Sequence, residues 1–79
     1  MARVLLFGPL RDLAGWRERE VTAATIGELR RALGADDAAL GEALQRPGVQ
    51  VALDQAIVRG DAPLAPSAEV AFLPPMSGG

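Results

Sequence analysis

The sequence has no cysteine and no histidine. That excludes disulfides, Cys/His metal centres and catalysis by a thiolate or an imidazole, and no metal site is expected. Lysine is missing too, and every positive charge is an arginine. No side-chain amine can therefore accept an acyl group, so copies of the chain cannot be joined to one another through lysine. There is no basic run, and the net charge is −2. A nucleic-acid binder normally shows a basic face, so nucleic acid is not an expected partner. The apolar run Val4-Leu5-Leu6-Phe7 is far too short to cross a membrane. It also lacks signal-peptide organisation, so the expectation is a cytoplasmic protein with no membrane partner. Aromatic residues are scarce, with two Phe and one Trp. The core must be built mostly from Ala, Val and Leu.

The chain has 79 residues, 49% of them hydrophobic. That is enough apolar material for a core and argues against disorder. The length allows a single domain over residues 1–79, near the lower limit at which a chain folds unaided.

Arg3 to Gly8 reads as a strand, with Val4 and Leu6 on one face and Leu5 and Phe7 on the other. Gly8-Pro9 interrupts it, and Leu10 to Ala14 suits a helical turn before Gly15. Arg17 to Thr22 reads as a second, solvated strand, with Trp16 as a packing anchor beside it. Thr25-Ile26-Gly27-Glu28 has capping-box spacing. Ile26, Leu29 and Leu33 follow at helical spacing, and Gly34 is the expected stop. Asp36 or Asp37 is placed to cap a shorter helix reaching Gln45, with Leu40, Ala43 and Leu44 buried, although Gly41 weakens it. Val49 to Leu53, a turn at Asp54-Gln55, and Ala56 to Val58 read as a hairpin. The order of elements suits an α+β layer, with helices on one face of a mixed sheet.

The most informative stretch is the end. Glu69 to Leu73 alternates as a strand. Pro74 and Pro75 then stop the ladder, because each lacks an N–H and fixes φ. They favour an extended arm pointing away from the sheet. Met76, Ser77, Gly78 and Gly79 complete it, and the final glycines bring the widest backbone freedom and no side chains. The chain thus ends in a bare carboxylate on a thin, flexible tail, residues 74–79. That carboxylate, with a reference pKa of roughly 3.5, is ionised at neutral pH and able to attack the α-phosphate of a nucleotide. The resulting acyl-adenylate would react with a sulfur or nitrogen nucleophile. A Gly-Gly end suits a passage too narrow for side chains. Chance alone gives such an end about once in 200 chains, and chain ends are often frayed without function. The preceding strand and Pro-Pro add weight that the glycines lack alone.

The ending Glu69-Val70-Ala71-Phe72-Leu73-Pro74-Pro75-Met76-Ser77-Gly78-Gly79 resembles that of the small, sulfur-carrier subunits of molybdopterin synthase, a family of ubiquitin-like proteins. The opening Val4-Leu5-Leu6-Phe7-Gly8-Pro9-Leu10-Arg11-Asp12-Leu13-Ala14-Gly15 is similar to that family's first strand and turn. The resemblance implies a ubiquitin-like β-grasp, with the first and last strands side by side at the centre of the sheet. Val4, Leu6, Val70 and Phe72 would then face the helix. Leu5, Phe7, Ala71 and Leu73 would face outward as a docking patch, which the family likeness extends to Ile57 and Arg11.

The resemblance also implies a carrier and not an independent catalyst. An activating enzyme of the ubiquitin-activating type would adenylate Gly79 with ATP, and a sulfur donor enzyme would convert the adenylate to a thiocarboxylate. The large synthase subunit would receive the tail, and its sulfur would pass to cyclic pyranopterin monophosphate. In this family the synthase is a heterotetramer. Gly79 would carry the chemistry, Gly78 give clearance, and Pro74 and Pro75 direct the arm. No cofactor is expected on this chain itself. Carriers for thiamine or cysteine synthesis, and ubiquitin-like protein modifiers, are the rivals with the same terminal glycines. A plain interaction module with an inert tail is a third possibility.

Overall fold

The computed structural model describes residues 1–75. Five strands form one mixed sheet in the order β2-β1-β5-β3-β4. They are β1 (Ala2–Leu6), β2 (Glu18–Val21), β3 (Gln50–Leu53), β4 (Ala56–Val58) and β5 (Glu69–Leu73). The central pair β1 and β5 is parallel, with Val4 beside Val70 and Leu6 beside Phe72. The other pairings are antiparallel. First and last strands at the centre, with helices on one face, make the expected β-grasp.

Alternation decides which face the helices cover. Val4, Leu6, Val70 and Phe72 are all at most 2% exposed. They share a core with Leu10 of α1 (Pro9–Ala14), Ile26, Leu29 and Leu33 of α2 (Ile26–Asp36), and Leu40, Ala43 and Leu44 of α3 (Ala38–Leu44). Phe72, the largest of the fully buried side chains, lies under the Arg30 guanidinium, whose carbon is 5.9 Å from the ring centroid. Arg30 Nε is buried without a hydrogen-bond partner. The guanidinium over the ring face makes a cation–π contact near the outer limit of such contacts.

Local signals set the helix starts. Thr25 Oγ1 accepts from the Glu28 backbone N–H at 3.1 Å, and Glu28 Oε2 accepts from the Ala24 N–H at 2.9 Å. The capping box is therefore present, with its return bond reaching one residue ahead of the cap. Asp37, of the two aspartates considered, caps α3 by accepting from the Leu40 N–H. The β3–β4 turn places both Asp54 and Gln55 at positive φ, 49° and 73°, as a tight two-residue hairpin turn demands.

Two expectations need correction. Gly34 does not end α2, which runs on to Asp36. It lies inside the helix because α3 packs there backbone to backbone: a Cβ on Gly41 would stand 2.5 Å from Gly34 Cα. Both glycines serve this close approach, so Gly41, which sequence alone treats as a weakness of α3, is a condition of its packing. The first strand ends at Leu6, leaving Phe7 just beyond it. Arg19 is exposed, as expected of a solvated strand, and from there it reaches Asp36 at 2.9 Å and lies 4.5 Å over the Trp16 ring.

Gly41→Ala tests the helix contact. Overpacking against backbone costs roughly 1–3 kcal/mol, more than the roughly 1 kcal/mol that Ala gains over Gly in helix propensity. A net loss of about 1 kcal/mol is expected, lowering the melting temperature by roughly 4–8 °C in a domain of this size. Gly34→Ala, whose Cβ would meet Gly41 Cα at 3.3 Å, should cost less. A thermal melt in which Gly41→Ala is the more stable protein would remove this account of the helix pair.

Candidate functional site

The outer face of the sheet follows from the strand registers. Leu5 stands beside Ala71, Ala71 beside Ala52, and Ala52 beside Ile57. One row of uncharged side chains thus crosses four strands. Its two large members lie toward the flanks, and two alanines make its centre flat. Ile57 is 50% exposed and Phe7 46%, while Leu5 and Leu73 are half-buried. One step further along the β1–β5 register brings Phe7 level with Leu73, at the end from which the chain leaves.

The structure therefore brings Leu5, Phe7, Ala71, Leu73 and Ile57 to one face, with one adjustment. Ala71 is only 6% exposed, because its methyl sits between Leu5 and Ala52 on the neighbouring strands. It supports the patch and offers little surface of its own. Sequence reasoning missed Ala52. The available signal was its alternation with Val51 and Leu53, which face the helices.

Arg11 joins this face at its β2 side. A groove at the end of β1 is lined by Leu5, Leu6, Phe7, Arg11, Arg17 and Glu18. Arg11 Nε lies 3.8 Å from Asp12 Oδ1, with half of its side chain exposed, so a surface pair of little strength leaves it available. At the opposite end of the outer face the polarity changes. Arg3 donates to Glu69 Oε1 at 2.7 Å. This bond, with the nearby Glu18 carboxylate, raises the guanidinium pKa further above its usual value. The outer face is thus apolar where the chain exits and charged where β5 begins.

Pro74 is half-buried and Pro75 exposed. The ladder stops at Leu73, as two residues without N–H groups require. The remaining tail residues singled out from the sequence, Met76, Ser77, Gly78 and Gly79, lie outside the described residues. Among the described residues no cluster of acidic side chains could hold a metal ion, and no helix is long and apolar enough to cross a membrane.

A family model described as the ThiS family matches residues 4–79. The molybdopterin synthase sulfur carrier subunit of Escherichia coli (strain K12) is 37% identical over 81 aligned residues, covering 100% of both chains. Small archaeal modifier protein 1 from Haloferax volcanii superposes with a TM-score of 0.84 at 26% identity, covering 99% of this chain and 98% of that one. A chain in the complex of subunits 1 and 2 of molybdopterin-converting factor from Helicobacter pylori superposes with a TM-score of 0.73 at 24% identity, covering 99% and 97%. That last likeness speaks for the fold. With the family model spanning nearly every residue and an end-to-end relative well above 30% identity, the chain belongs to the ThiS family.

Proposed function

We propose that this chain is the sulfur-carrier subunit of a molybdopterin synthase. The observation that carries the reading is the end-to-end identity of 37% to the Escherichia coli carrier subunit, on a chain whose last residues are Gly78-Gly79.

The chemistry runs through the terminal carboxylate. One carboxylate oxygen of Gly79 attacks the α-phosphorus of ATP, forming the acyl-adenylate and releasing pyrophosphate. A sulfide equivalent from the donor enzyme adds to the activated carbonyl and displaces AMP, leaving a thiocarboxylate. The large synthase subunit then takes the tail, and the sulfur passes to cyclic pyranopterin monophosphate. Each turnover returns the carboxylate, so two loaded carriers serve each dithiolene. Partners on this reading are the large subunit, a ubiquitin-activating-type adenylyltransferase and the sulfur donor. The need for ATP goes with a cytoplasmic location. The apolar row with Phe7, Leu73 and Arg11 is the docking face, and none of its side chains is a catalyst.

The likeness to a small archaeal modifier protein favours one second reading, attachment to lysines of other proteins. Since this chain has no lysine, such a modifier could be added singly but not built into lysine-linked chains.

Incubation with the activating enzyme, ATP and a sulfur source, followed by intact-mass analysis, separates the two. The expected change is replacement of one terminal oxygen by sulfur, with no higher-mass adducts when lysine-bearing proteins are added. An unaltered mass beside a demonstrably active enzyme would overturn the carrier reading. Lysine-linked adducts would establish the second.

A further inference from the structure

On either side of β5 a turn presents a glycine to one of the tail prolines, Gly8 two residues after β1 and Gly48 two residues before β3. β1 and β5 are in register up to Leu6 beside Phe72, and two steps on Gly8 meets Pro74. β3 and β5 pair Gln50 with Leu73, and two steps back along the β3 line Gly48 meets Pro75. The contacts agree with this extrapolation. A Cβ on Gly8 would lie 3.3 Å from Pro74 Cγ, and one on Gly48 only 2.9 Å from Pro75 Cβ. Both glycines have positive φ, 57° and 92°, a conformation that other residues adopt only under strain. The hydrogen-bonded ladder is finished here, yet the chain keeps to the β5 line for two more residues. There the two rings stand beside backbone that carries no side chain.

We propose that Gly8 and Gly48 form a side-chain-free seat for Pro74 and Pro75, fixing the direction in which the C-terminal arm leaves the sheet. This deepens the carrier reading and rests on it, since a carrier must present one carboxylate to more than one enzyme. The seat works by subtraction. Proline fixes φ but leaves ψ free, so the rings need an external contact to set the line of exit. Such a contact can be close only where the neighbour has no Cβ. At position 48 any L side chain meets a ring that cannot rotate away, and the arm is pushed off its line. Gly8 and Gly48 are then positioning residues, acting through the prolines on a carboxylate they do not touch.

The first test needs no enzyme. In the isolated protein, a nuclear Overhauser contact is expected between the Gly48 α-protons and the Pro75 ring protons, and its absence would overturn the seat. The second test compares adenylate formation by Gly48→Ala, Pro75→Gly and the double variant. Gly48→Ala should leave KM, set by the outer face, within about twofold while lowering kcat roughly tenfold to a hundredfold, the scale of a displacement of about an ångström. Pro75→Gly should lower kcat less, and the double variant should be no worse than Gly48→Ala, because the clash has lost its second member. Effects that multiply, or a normal kcat for Gly48→Ala, would overturn the proposal. Should Gly48→Ala fail to fold, Pro75→Gly decides: its side chain is exposed, and a normal kcat sinks the seat. If the wild-type chain shows the contact but is never adenylated, the carrier reading falls and the seat stands.

Discussion

Deleting Gly79, or adding residues beyond it, is expected to reduce sulfur transfer to background while leaving the domain folded. On the carrier reading the group activated is the α-carboxylate of Gly79, and the ten Asp and Glu carboxylates do not sit at the end of a glycine arm that an active site can enclose. Deletion shortens the arm by one residue, up to about 3.5 Å of reach. The reacting carbon is then withdrawn by more than the ångström-scale misplacement that already costs about a hundredfold. Extension instead converts the carboxylate of Gly79 into an amide, which cannot attack a phosphate as an ionised oxygen. Stability should barely register either change. Among the described residues the core lies between Ala2 and Phe72, and substitutions that leave a core untouched usually stay within about 0.5 kcal/mol, or roughly 4 °C at most in a domain of this size. Synthase assays and thermal melts on both variants measure the two halves separately. Retained turnover in either variant would remove Gly79 from the mechanism.

Much of this fold is legible in the sequence because the deciding interactions are local. Thr25 and Glu28 announce α2 through bonds to their own neighbourhood, and Asp54-Gln55 marks a hairpin turn by position between two alternating runs. Strand faces follow from a period of two once the register is known. The central pairing of β1 with β5 is different, since it joins the two ends of the chain. It came from the family likeness and not from any propensity. What escaped the sequence depends on distant backbone. Gly34 looks like a helix stop and is an interior contact, because Gly41 of the next helix approaches it. Gly8 and Gly48 look like ordinary breakers, and their relation to Pro74 and Pro75 exists only after three strands have assembled. Arg19 reads as one charge in a solvated run until β2 lies beside the end of α2. A glycine or an arginine in a sequence states what is permitted, and the neighbour that uses the permission is supplied by topology.

Leu73 and Phe72 are adjacent in the chain and should respond to the same substitution in opposite ways. Phe72 is 0% exposed, at the centre of the helix-facing side, beside Leu6 on β1 and Val51 on β3. Removing such a ring costs roughly 3–5 kcal/mol. Phe72→Asp also buries a carboxylate among Leu and Val side chains, and although the Arg30 guanidinium is close by, a buried ion pair seldom recovers its desolvation cost and restores none of the lost packing. Small domains have total stabilities toward the lower end of about 5–15 kcal/mol, so this variant should be largely unfolded at room temperature. Leu73 points the other way, half-buried beside Gln50 and level with Phe7, and an aspartate there can reach water. Leu73→Asp should therefore fold with a lowered melting temperature. Its loss should appear in binding. Burying one large apolar side chain contributes roughly 1.5–3 kcal/mol, which at about 1.4 kcal/mol per decade is a weakening of roughly tenfold to a hundredfold against the large synthase subunit. Leu73 is the last strand residue before the prolines, so a partner gripping it also holds the origin of the arm that ends in Gly79. Titration calorimetry with the large subunit, alongside melts of both variants, reads the two effects apart. If Leu73→Asp folds and binds as tightly as the unaltered chain, the apolar row is not where the partner docks.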